Sequence, residues 1–291
     1  MFGREFIYIK NAKKKKKLVQ YLYLKYFFAP KIFRSSKKLS HPGTENFSIH
    51  VLTGKRDIVI LAWALASLYD TMDKMGQVYI HSDGSLTSKH QKNILKIFPH
   101  IQIVLPEQLE GKFEEFPTIK KIRESMEGFF LIRKLVDPMI ISETDVRFIT
   151  DSDVLFFKKP AEVIEAIKDS GNISLAMQMR TECPVFFKDG SVLDSNLGKV
   201  NTGIVIYHKK NISLNDIEEY VKSLNLTDAR NSHFIEQAGY AYCLKNLQVL
   251  SVETYKIKGK VDDKTIVRHY TSPRRHMMYL EGIKRLGSKF L

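Results

Sequence analysis

The chain has 291 residues, 44% of them hydrophobic, and can bury the core of one large globular domain or two modest ones. Its two cysteines lie far apart without CxxC or other metal spacing, so they indicate neither a disulfide framework nor a zinc site and favour a reducing compartment. The net charge of +14 is local, since residues 1–40 hold ten Lys, two Arg and one acidic residue and the rest is nearly balanced.

Residues 1–46 form a basic, aromatic-rich N-terminal arm in which a lysine run leads into LVQYLYLKYFF. Helical spacing would gather much of this stretch on one broad apolar face, the pattern of a helix at an anionic membrane surface. The alternative is a solvated lysine run followed by a helix that packs on the main domain. We expect no nucleic-acid partner, because no DNA- or RNA-reading motif accompanies the charge.

The sequence also bears on localisation. No stretch reaches the ~18 apolar residues that cross a bilayer. The N-terminus lacks the order of basic, apolar and small residues that marks a signal peptide. We therefore expect a cytoplasmic protein, which is peripheral on the membrane if the arm binds there.

From residue 47 onward, strand-like and helix-like runs alternate. Strands are predicted at 47–53, 77–82, 101–105, 146–150, 173–179, 201–210 and 248–252. Helices are predicted at 56–72, 87–98, roughly 118–142, 160–170, 214–224 and 233–244, with an irregular polar stretch at 180–199. This βαβ series predicts an α/β fold with a mostly parallel, Rossmann-like central sheet flanked by helices, over a domain spanning 47–291.

Polar residues follow three of the predicted strands: Thr53-Gly54, Asp83-Gly84 and Asp151-Ser152-Asp153. The carboxyl ends of parallel strands meet at the ligand crevice of such sheets, so a nucleotide site is expected there. Two converging carboxylates repel each other unless a proton or a cation separates them. Mg²⁺ and Mn²⁺ take few protein carboxylates and complete their shell with phosphate oxygens and water. The alternative is a polar turn before a helix.

The run FITDSDVLFFKKP resembles the nucleotide-diphosphosugar transferases of the GT-A fold, whose metal-binding DxD follows an apolar strand. Over roughly residues 47 to 285, the motif order resembles glycosyltransferase family 8 and its relatives: HSDGSLT, DSDVLFFKKP, VNTGIVIY, FIEQAGYAY and RHYTSPRR. The resemblance implies a GT-A domain and a metal-dependent hexosyltransferase that uses a nucleotide-diphosphosugar, specifically a UDP-sugar. The acceptor would be a hydroxyl of a surface or lipid-linked glycan, and configuration would be retained.

The resemblance also implies roles for individual residues. The metal ligands would be Asp151, Asp153 and His269, holding Mn²⁺ or Mg²⁺. The nucleotide-sugar would be bound by Thr53, Asp83, Lys134, Asp151, Ser152, Gly203 and Arg274. The catalytic set facing donor sugar and acceptor would be Asn201, Glu236 and Gln237. Each has an ordinary structural alternative, such as a structural histidine, a surface charge, a strand bulge or a helix cap.

Two departures from family 8 leave other functions open. The late motif is HYTSPRR where typical members have HxxGxxKPW, so phosphate contacts would come from Arg274 or Arg275, and Glu-Gln replaces Asp-Gln. A sugar-phosphate nucleotidyltransferase shares fold and metal, but its glycine- and basic-rich loop is not evident in VLTGKRD. A DxD phosphohydrolase of the haloacid dehalogenase type wants Thr or Val where Leu155 stands. A non-enzymatic, peripheral membrane-binding protein is the third alternative.

Overall fold

The structure is a computed structural model that describes residues 3–35, 39–125, 128–169, 171, 173–179, 184–193 and 197–291. The helices are α1 (Gly3–Lys14), α2 (Leu18–Tyr23), α3 (Ile58–Thr71), α4 (Ser88–Ile97), α5 (Pro117–Ser125), α6 (Ile132–Ile141), α7 (Ala161–Lys168), α8 (Leu214–Ser223), α9 (Ala229–Cys243) and α10 (Lys284–Phe290). The strands are β1 (Glu45–Thr53), β2 (Gly76–Ser82), β3 (Gln102–Val104), β4 (Val146–Thr150), β5 (Val154–Phe156), β6 (Ser174–Gln178), β7 (Val200–His208), β8 (Leu247–Val249), β9 (Tyr255–Lys256) and β10 (Val267–His269). Cys183 and much of the predicted irregular stretch lie outside the described residues.

Seven described strands form the main sheet in the order β3-β2-β1-β4-β7-β6-β8. Neighbouring strands run parallel except at β7, which is antiparallel to both β4 and β6. The amino end of β7 therefore lies beside the carboxyl ends of β1, β2 and β4, and these four ends line one crevice. The predicted α/β fold with a mostly parallel sheet is confirmed.

The central strand β4 shows why the sheet is covered on both faces. Its sequence VRFIT is buried along its whole length. Phe148 packs into the core that includes α3 and α4, whereas Ile149 packs into the core that includes α6, α8 and α9. Successive side chains of a strand point to opposite faces, so a strand that is buried at every position needs helices on both sides of the sheet.

A second sheet joins β5, β10 and β9 in that order. Strand β5 starts directly after Asp153 and pairs antiparallel with β10, which sets His269 opposite Val154. These strands have two or three residues each, too short for hydrophobic alternation to reveal them, and the sequence analysis missed this sheet. The predicted helix over 118–142 is also two helices, α5 and α6.

The N-terminal arm packs on the domain through one of its faces. Helix α2 continues into a π-helical turn (Leu24–Phe28) and a 3₁₀ turn (Ala29–Arg34). Tyr21 and Leu24 belong to the same core as α3. The Phe28 ring stacks on Trp63, whose Nε1 donates a hydrogen bond to the carbonyl of Ala29 at 3.0 Å. This face matches the packed-helix alternative for the arm.

The opposite face of the arm is apolar as well and is exposed. Val19, Tyr23, Tyr26 and Phe27 have exposed fractions of 82%, 51%, 54% and 67%, at the spacing of one helical face. The aromatic run thus divides into an inner face, defined as Tyr21, Leu24, Phe28, Ala29 and Ile32, and an outer face, defined as Val19, Tyr23, Tyr26 and Phe27. In the described parts of the chain, no helix is both long and apolar enough to cross a bilayer.

Candidate active site

The two aspartates of DSD occupy a tight turn between β4 and β5. The turn is closed by a hydrogen bond from the Val154 amide to the Asp151 carbonyl at 3.2 Å. It is tied to both sheets, since the Asp151 amide donates to the Gly203 carbonyl at 3.1 Å and the Tyr270 amide donates to the Asp153 carbonyl at 2.9 Å. The position of both carboxylates is therefore set by strands from distant parts of the sequence.

His269 completes a three-residue group with these carboxylates. Its Nε2 lies 3.3 Å from Asp151 Oδ2 and 3.1 Å from Asp153 Oδ1. One ligand atom from each of the three residues lies within 4.8 Å of the others. His269 and Asp153 are buried, while the Asp151 side chain retains 26% of its exposure. One side of the group is thus open to the crevice.

The hydrogen bonds of Asn201 determine the tautomer of His269. Asn201 Oδ1 accepts the Gly203 amide proton at 3.1 Å, so this oxygen is an acceptor. The same oxygen lies 2.8 Å from His269 Nδ1, which must therefore carry the proton. In the neutral ring, Nε2 then has a free lone pair that points at the two carboxylates. Two carboxylate oxygens and an imidazole nitrogen are a donor set that could hold a divalent metal ion.

Gly203 is required by the histidine ring. A Cβ at this position would lie 2.3 Å from His269 Nδ1, far inside contact distance. Any other residue would displace the imidazole from the carboxylates. The structure thus gives Gly203 a packing contact beside the predicted metal ligands.

Lys134 holds the other oxygen of Asp151. Its Nζ lies 2.7 Å from Asp151 Oδ1, 3.0 Å from Glu236 Oε1 and 2.7 Å from the Thr202 carbonyl. Burial disfavours the charged lysine, but Asp151 and Glu236 outweigh it, and the pKa of Lys134 is raised. Burial raises the pKa of Glu236, although the nearby charge of Lys134 acts to lower it. Lys134 is an internal cation here, because two carboxylates and a carbonyl oxygen lie within 3.0 Å of its buried ammonium group.

Arg275 holds the other oxygen of Asp153. Its Nε and Nη2 lie 2.8 and 2.7 Å from Asp153 Oδ2, and its Nη1 lies 2.9 Å from Asp57 Oδ2. Burial alone would raise the pKa of Asp153, but Arg275 and then His269 hold it well below its usual range. Both aspartates of DSD therefore have one oxygen paired with a cation of the protein and the other directed at His269.

The ends of β1 and β2 lie together in the same crevice. The Asp83 amide donates to the Thr53 carbonyl at 2.9 Å. A Cβ on Gly54 would fall 2.0 Å from Asp83 Oδ2, so only glycine allows this approach. The Thr53 hydroxyl is buried and has no hydrogen-bond partner among the described residues, whereas Asp83 Oδ1 accepts from Ser85. An unpaired buried hydroxyl is a suitable contact for a ligand.

The remaining predicted site residues divide into two groups. Gln237 lies beside Asn201, with Asn201 Nδ2 and Gln237 Oε1 3.4 Å apart. Ser152 is buried in the DSD turn. Arg274 instead bonds the Thr271 hydroxyl through Nη2 at 3.3 Å, and burial lowers its pKa. The structure thus places Asn201, Gln237 and Ser152 near Asp151, Asp153 and His269, while Arg274 has a local hydrogen bond.

Two residues of this network were missed as site residues from the sequence. Arg275 was considered only as a phosphate contact, and Asp57 only as part of a helix. The signal for Arg275 was its place in a basic run shortly after His269. Asp57 gave no signal, because an aspartate just before an apolar helix is expected to cap it.

No family model matches the chain, and no curated protein matches its sequence. Solved structures match in fold. Mouse xyloside xylosyltransferase 1, in its apo form, has a TM-score of 0.51 at 10% identity, with 78% of this chain and 98% of that one covered. The galactosyltransferase LgtC, in complex with donor and acceptor sugar analogues, has a TM-score of 0.51 at 13% identity, with 83% and 95% covered.

The glycosyltransferase GlyE of Streptococcus pneumoniae TIGR4 has a TM-score of 0.52 at 10% identity, with 84% of this chain and 59% of that one covered. This chain thus spans about three fifths of GlyE. At such identities the likeness concerns the fold. The chain therefore has the GT-A fold of nucleotide-sugar glycosyltransferases, as its motif order predicted.

Proposed function

We propose that this chain is a metal-dependent glycosyltransferase that moves a sugar from a nucleotide-diphosphosugar to an acceptor hydroxyl. The observation that carries the proposal is the convergence of Asp151, Asp153 and His269 ligand atoms at the strand-end crevice of a GT-A fold. The proposed donor is a UDP-sugar and the proposed ion is Mn²⁺ or Mg²⁺. Bound there, the ion would neutralise the charge that develops on the departing nucleoside diphosphate.

The protein's own residues orient the reacting groups. Asp151 and Asp153 offer one oxygen each, because Lys134 and Arg275 hold the others. We propose that Thr53 and Asp83 contact the nucleotide and that Asn201 and Gln237 face the donor sugar. The hydroxyl of the acceptor forms the new glycosidic bond as the bond between the anomeric carbon and the diphosphate breaks, and its proton passes to the departing phosphate oxygen.

Retention of configuration is the proposed outcome, without a protein nucleophile. Glu236 is the nearest candidate for that role. Its Oε2 accepts from the Thr202 hydroxyl at 2.9 Å and its Oε1 is paired with Lys134. Both oxygens are engaged and the residue is 4% exposed, which supports an orienting role rather than attack on the sugar.

The test is a thermal-shift screen of UDP-, GDP- and ADP-sugars with Mn²⁺, with Mg²⁺ and with chelator. A ligand at 100 times its Kd stabilises the folded chain by about 2.7 kcal/mol, which gives a clear rise in Tm. We expect a UDP-sugar to raise Tm with Mn²⁺ and to have little effect in chelator. The hit is then assayed for release of UDP and for sugar transfer. A screen with no metal-dependent shift for any donor would contradict the proposal.

The same assay separates the rival enzymes. A nucleotidyltransferase would release diphosphate from a nucleoside triphosphate and a sugar 1-phosphate. A phosphohydrolase would release inorganic phosphate from a phosphate monoester. We expect neither product, because the glycine- and basic-rich loop of nucleotidyltransferases is not evident in VLTGKRD, and Leu155 stands where the phosphohydrolases have Thr or Val.

We also propose that the acceptor is a glycan or lipid-linked glycan at an anionic membrane, with the arm as the membrane contact. The outer face of the arm supports this, since a surface groove there of about 730 Å³ is lined by Lys13, Lys16, Lys17, Leu18, Val19, Gln20 and Tyr23. Basic residues near an anionic surface contribute about 1 kcal/mol each. The one acid of residues 1–40, Glu5, is paired with Lys25 at 2.5 Å.

A further inference from the structure

Asp57 and Arg275 form a partly buried link between the first crevice loop and the predicted metal ligands. Asp57 immediately precedes α3, where an aspartate ordinarily accepts hydrogen bonds from the first helical amides. Its side chain makes no such capping bond. Both its oxygens instead face Arg275 Nη1, at 2.9 and 3.1 Å. The interaction that would normally stabilise the helix is given up for a contact with a residue 218 positions away.

The other side of the same guanidinium determines how Asp153 can bind an ion. Nε and Nη2 of Arg275 both point at Asp153 Oδ2, which leaves Oδ1 beside His269 Nε2. The Asp153 side chain is 3% exposed, and its two oxygens face different partners, Arg275 at Oδ2 and His269 at Oδ1. Arg275 therefore presents Asp153 as a ligand through one oxygen only.

Electrostatics explains why this arrangement needs Asp57. A bare guanidinium next to a cation site would repel a divalent ion. The Asp153–Arg275–Asp57 row carries a net charge of −1, so the arginine can orient its carboxylate while the site stays attractive to a cation. Asp57 also holds the third nitrogen of the guanidinium, which fixes the plane in which Arg275 meets Asp153.

We propose that Asp57 is a positioning residue for metal binding, acting through Arg275 on Asp153. This inference rests on the proposed metal site and adds to it a residue outside the set of predicted ligands. Partners that orient a metal ligand typically change metal affinity 10- to 100-fold when they are altered. We therefore expect Asp57→Asn to weaken Mn²⁺ binding by about 10-fold or more.

The test is titration of Mn²⁺ into the metal-free chain of 291 residues, by calorimetry and by electron paramagnetic resonance of free Mn²⁺, without any donor. Asp57→Asn removes the charge while keeping the shape. Asp57→Glu restores the charge and should recover much of the affinity. Asp70→Asn is the matched control, because Asp70 lies on the same helix, pairs with Lys289 and has no contact with the site. Far-UV circular dichroism and Tm in chelator monitor folding of each variant.

The Mn²⁺ titrations distinguish a positioning role for Asp57 from a purely structural ion pair with Arg275. Weaker Mn²⁺ binding in Asp57→Asn, recovery in Asp57→Glu and no change in Asp70→Asn support the positioning role. Equal or tighter binding in a folded Asp57→Asn chain overturns it and makes the pair a plain structural ion pair. A wild-type chain that binds no Mn²⁺ overturns the metal site itself, and the positioning role with it.

Discussion

At the scale of single residues, the DSD pair is ordered before any ligand arrives. Lys134 and Arg275 each hold one carboxylate oxygen, and Asn201 fixes the protonated nitrogen of His269. Preorganised ligands cost little reorganisation when an ion binds, which is the condition for a well-defined metal centre. Because each of these oxygen and nitrogen atoms has a defined partner, single substitutions at these residues should have specific effects.

Asp151→Asn and Asp153→Asn should each abolish sugar transfer while the chain stays folded. Each change removes the negative charge of a proposed metal ligand, so the proposed bridge from carboxylate to ion to diphosphate would be lost. Turnover and Mn²⁺ affinity are the measurements. Asp145→Asn is the control, because Asp145 precedes the other end of β4 and pairs with Lys209 at the surface. Full activity in either site variant, or in chelator, would contradict the metal assignment.

His269→Ala should weaken Mn²⁺ binding by roughly 10- to 100-fold, because the nitrogen ligand is removed from the group. Calorimetry with Mn²⁺ and with UDP gives the measurement. The exposed His100 offers a matched control, since His100→Ala removes an imidazole at a distant site. Unchanged affinity in His269→Ala would make His269 a structural residue.

At the scale of elements, the long strands and helices could be predicted because each repeats its pattern over several turns or residues. The sheet of β5, β10 and β9 could not, because two or three residues carry no period. The link from Asn201 to His269 was likewise hidden, since it depends on β10 pairing with β5. Sequence order predicted which residues belong to the crevice, but the partner of each oxygen depends on tertiary packing.

The arm combines two apolar faces on one helical segment, and their substitution should have different effects. Phe27→Ser on the outer face should leave Tm nearly unchanged, because surface substitutions typically change the free energy of unfolding by no more than about 0.5 kcal/mol. It should reduce cosedimentation of the chain with anionic liposomes at low salt, because an exposed aromatic that could enter the interface is lost.

Tyr21→Ala on the inner face should destabilise the chain by about 3 kcal/mol, as expected for a large aromatic removed from a core. Tyr21 is fully buried and meets the Tyr279 ring edge-on at 5.7 Å. Liposome sedimentation and thermal unfolding of both variants make the comparison. The membrane contact would be contradicted if the wild-type chain did not bind anionic liposomes. It would also be contradicted if the Phe27→Ser chain cosedimented with them as fully as the wild type.

At the scale of the whole molecule, a buried histidine pair should make stability depend on pH. His50 Nδ1 and His81 Nε2 are 2.9 Å apart beneath the crevice. Burial, then His81 and Arg147, lower the pKa of His50. Burial, then Arg123, lower the pKa of His81 to about 3. Below pH ~6.5, the two imidazoles therefore bind protons in the unfolded chain but stay neutral in the folded chain.

The sign follows from this difference. The contribution of the pair to the free energy of unfolding is fully present above pH ~6.5. It is lost as the pH falls, by up to about 1.4 kcal/mol per pH unit for each histidine. Denaturant unfolding between pH 7.5 and 5 measures it. His81→Gln should make the free energy of unfolding fall less steeply as the pH decreases, while His100→Gln should leave this dependence unchanged. Equal slopes in wild type and His81→Gln would contradict the assignment.

The pairing of distant residues also sets the timing of assembly during synthesis. Arg275 follows Asp153 by 122 residues, and Pro273 follows Asn11, its hydrogen-bond partner in the arm, by 262. At about 5–20 residues per second, a ribosome needs roughly 6–25 s to cover the first interval and longer for the second. Until then the nascent chain lacks the cation that holds Asp153 Oδ2, and Tyr21 on the inner face of the arm lacks its ring partner Tyr279.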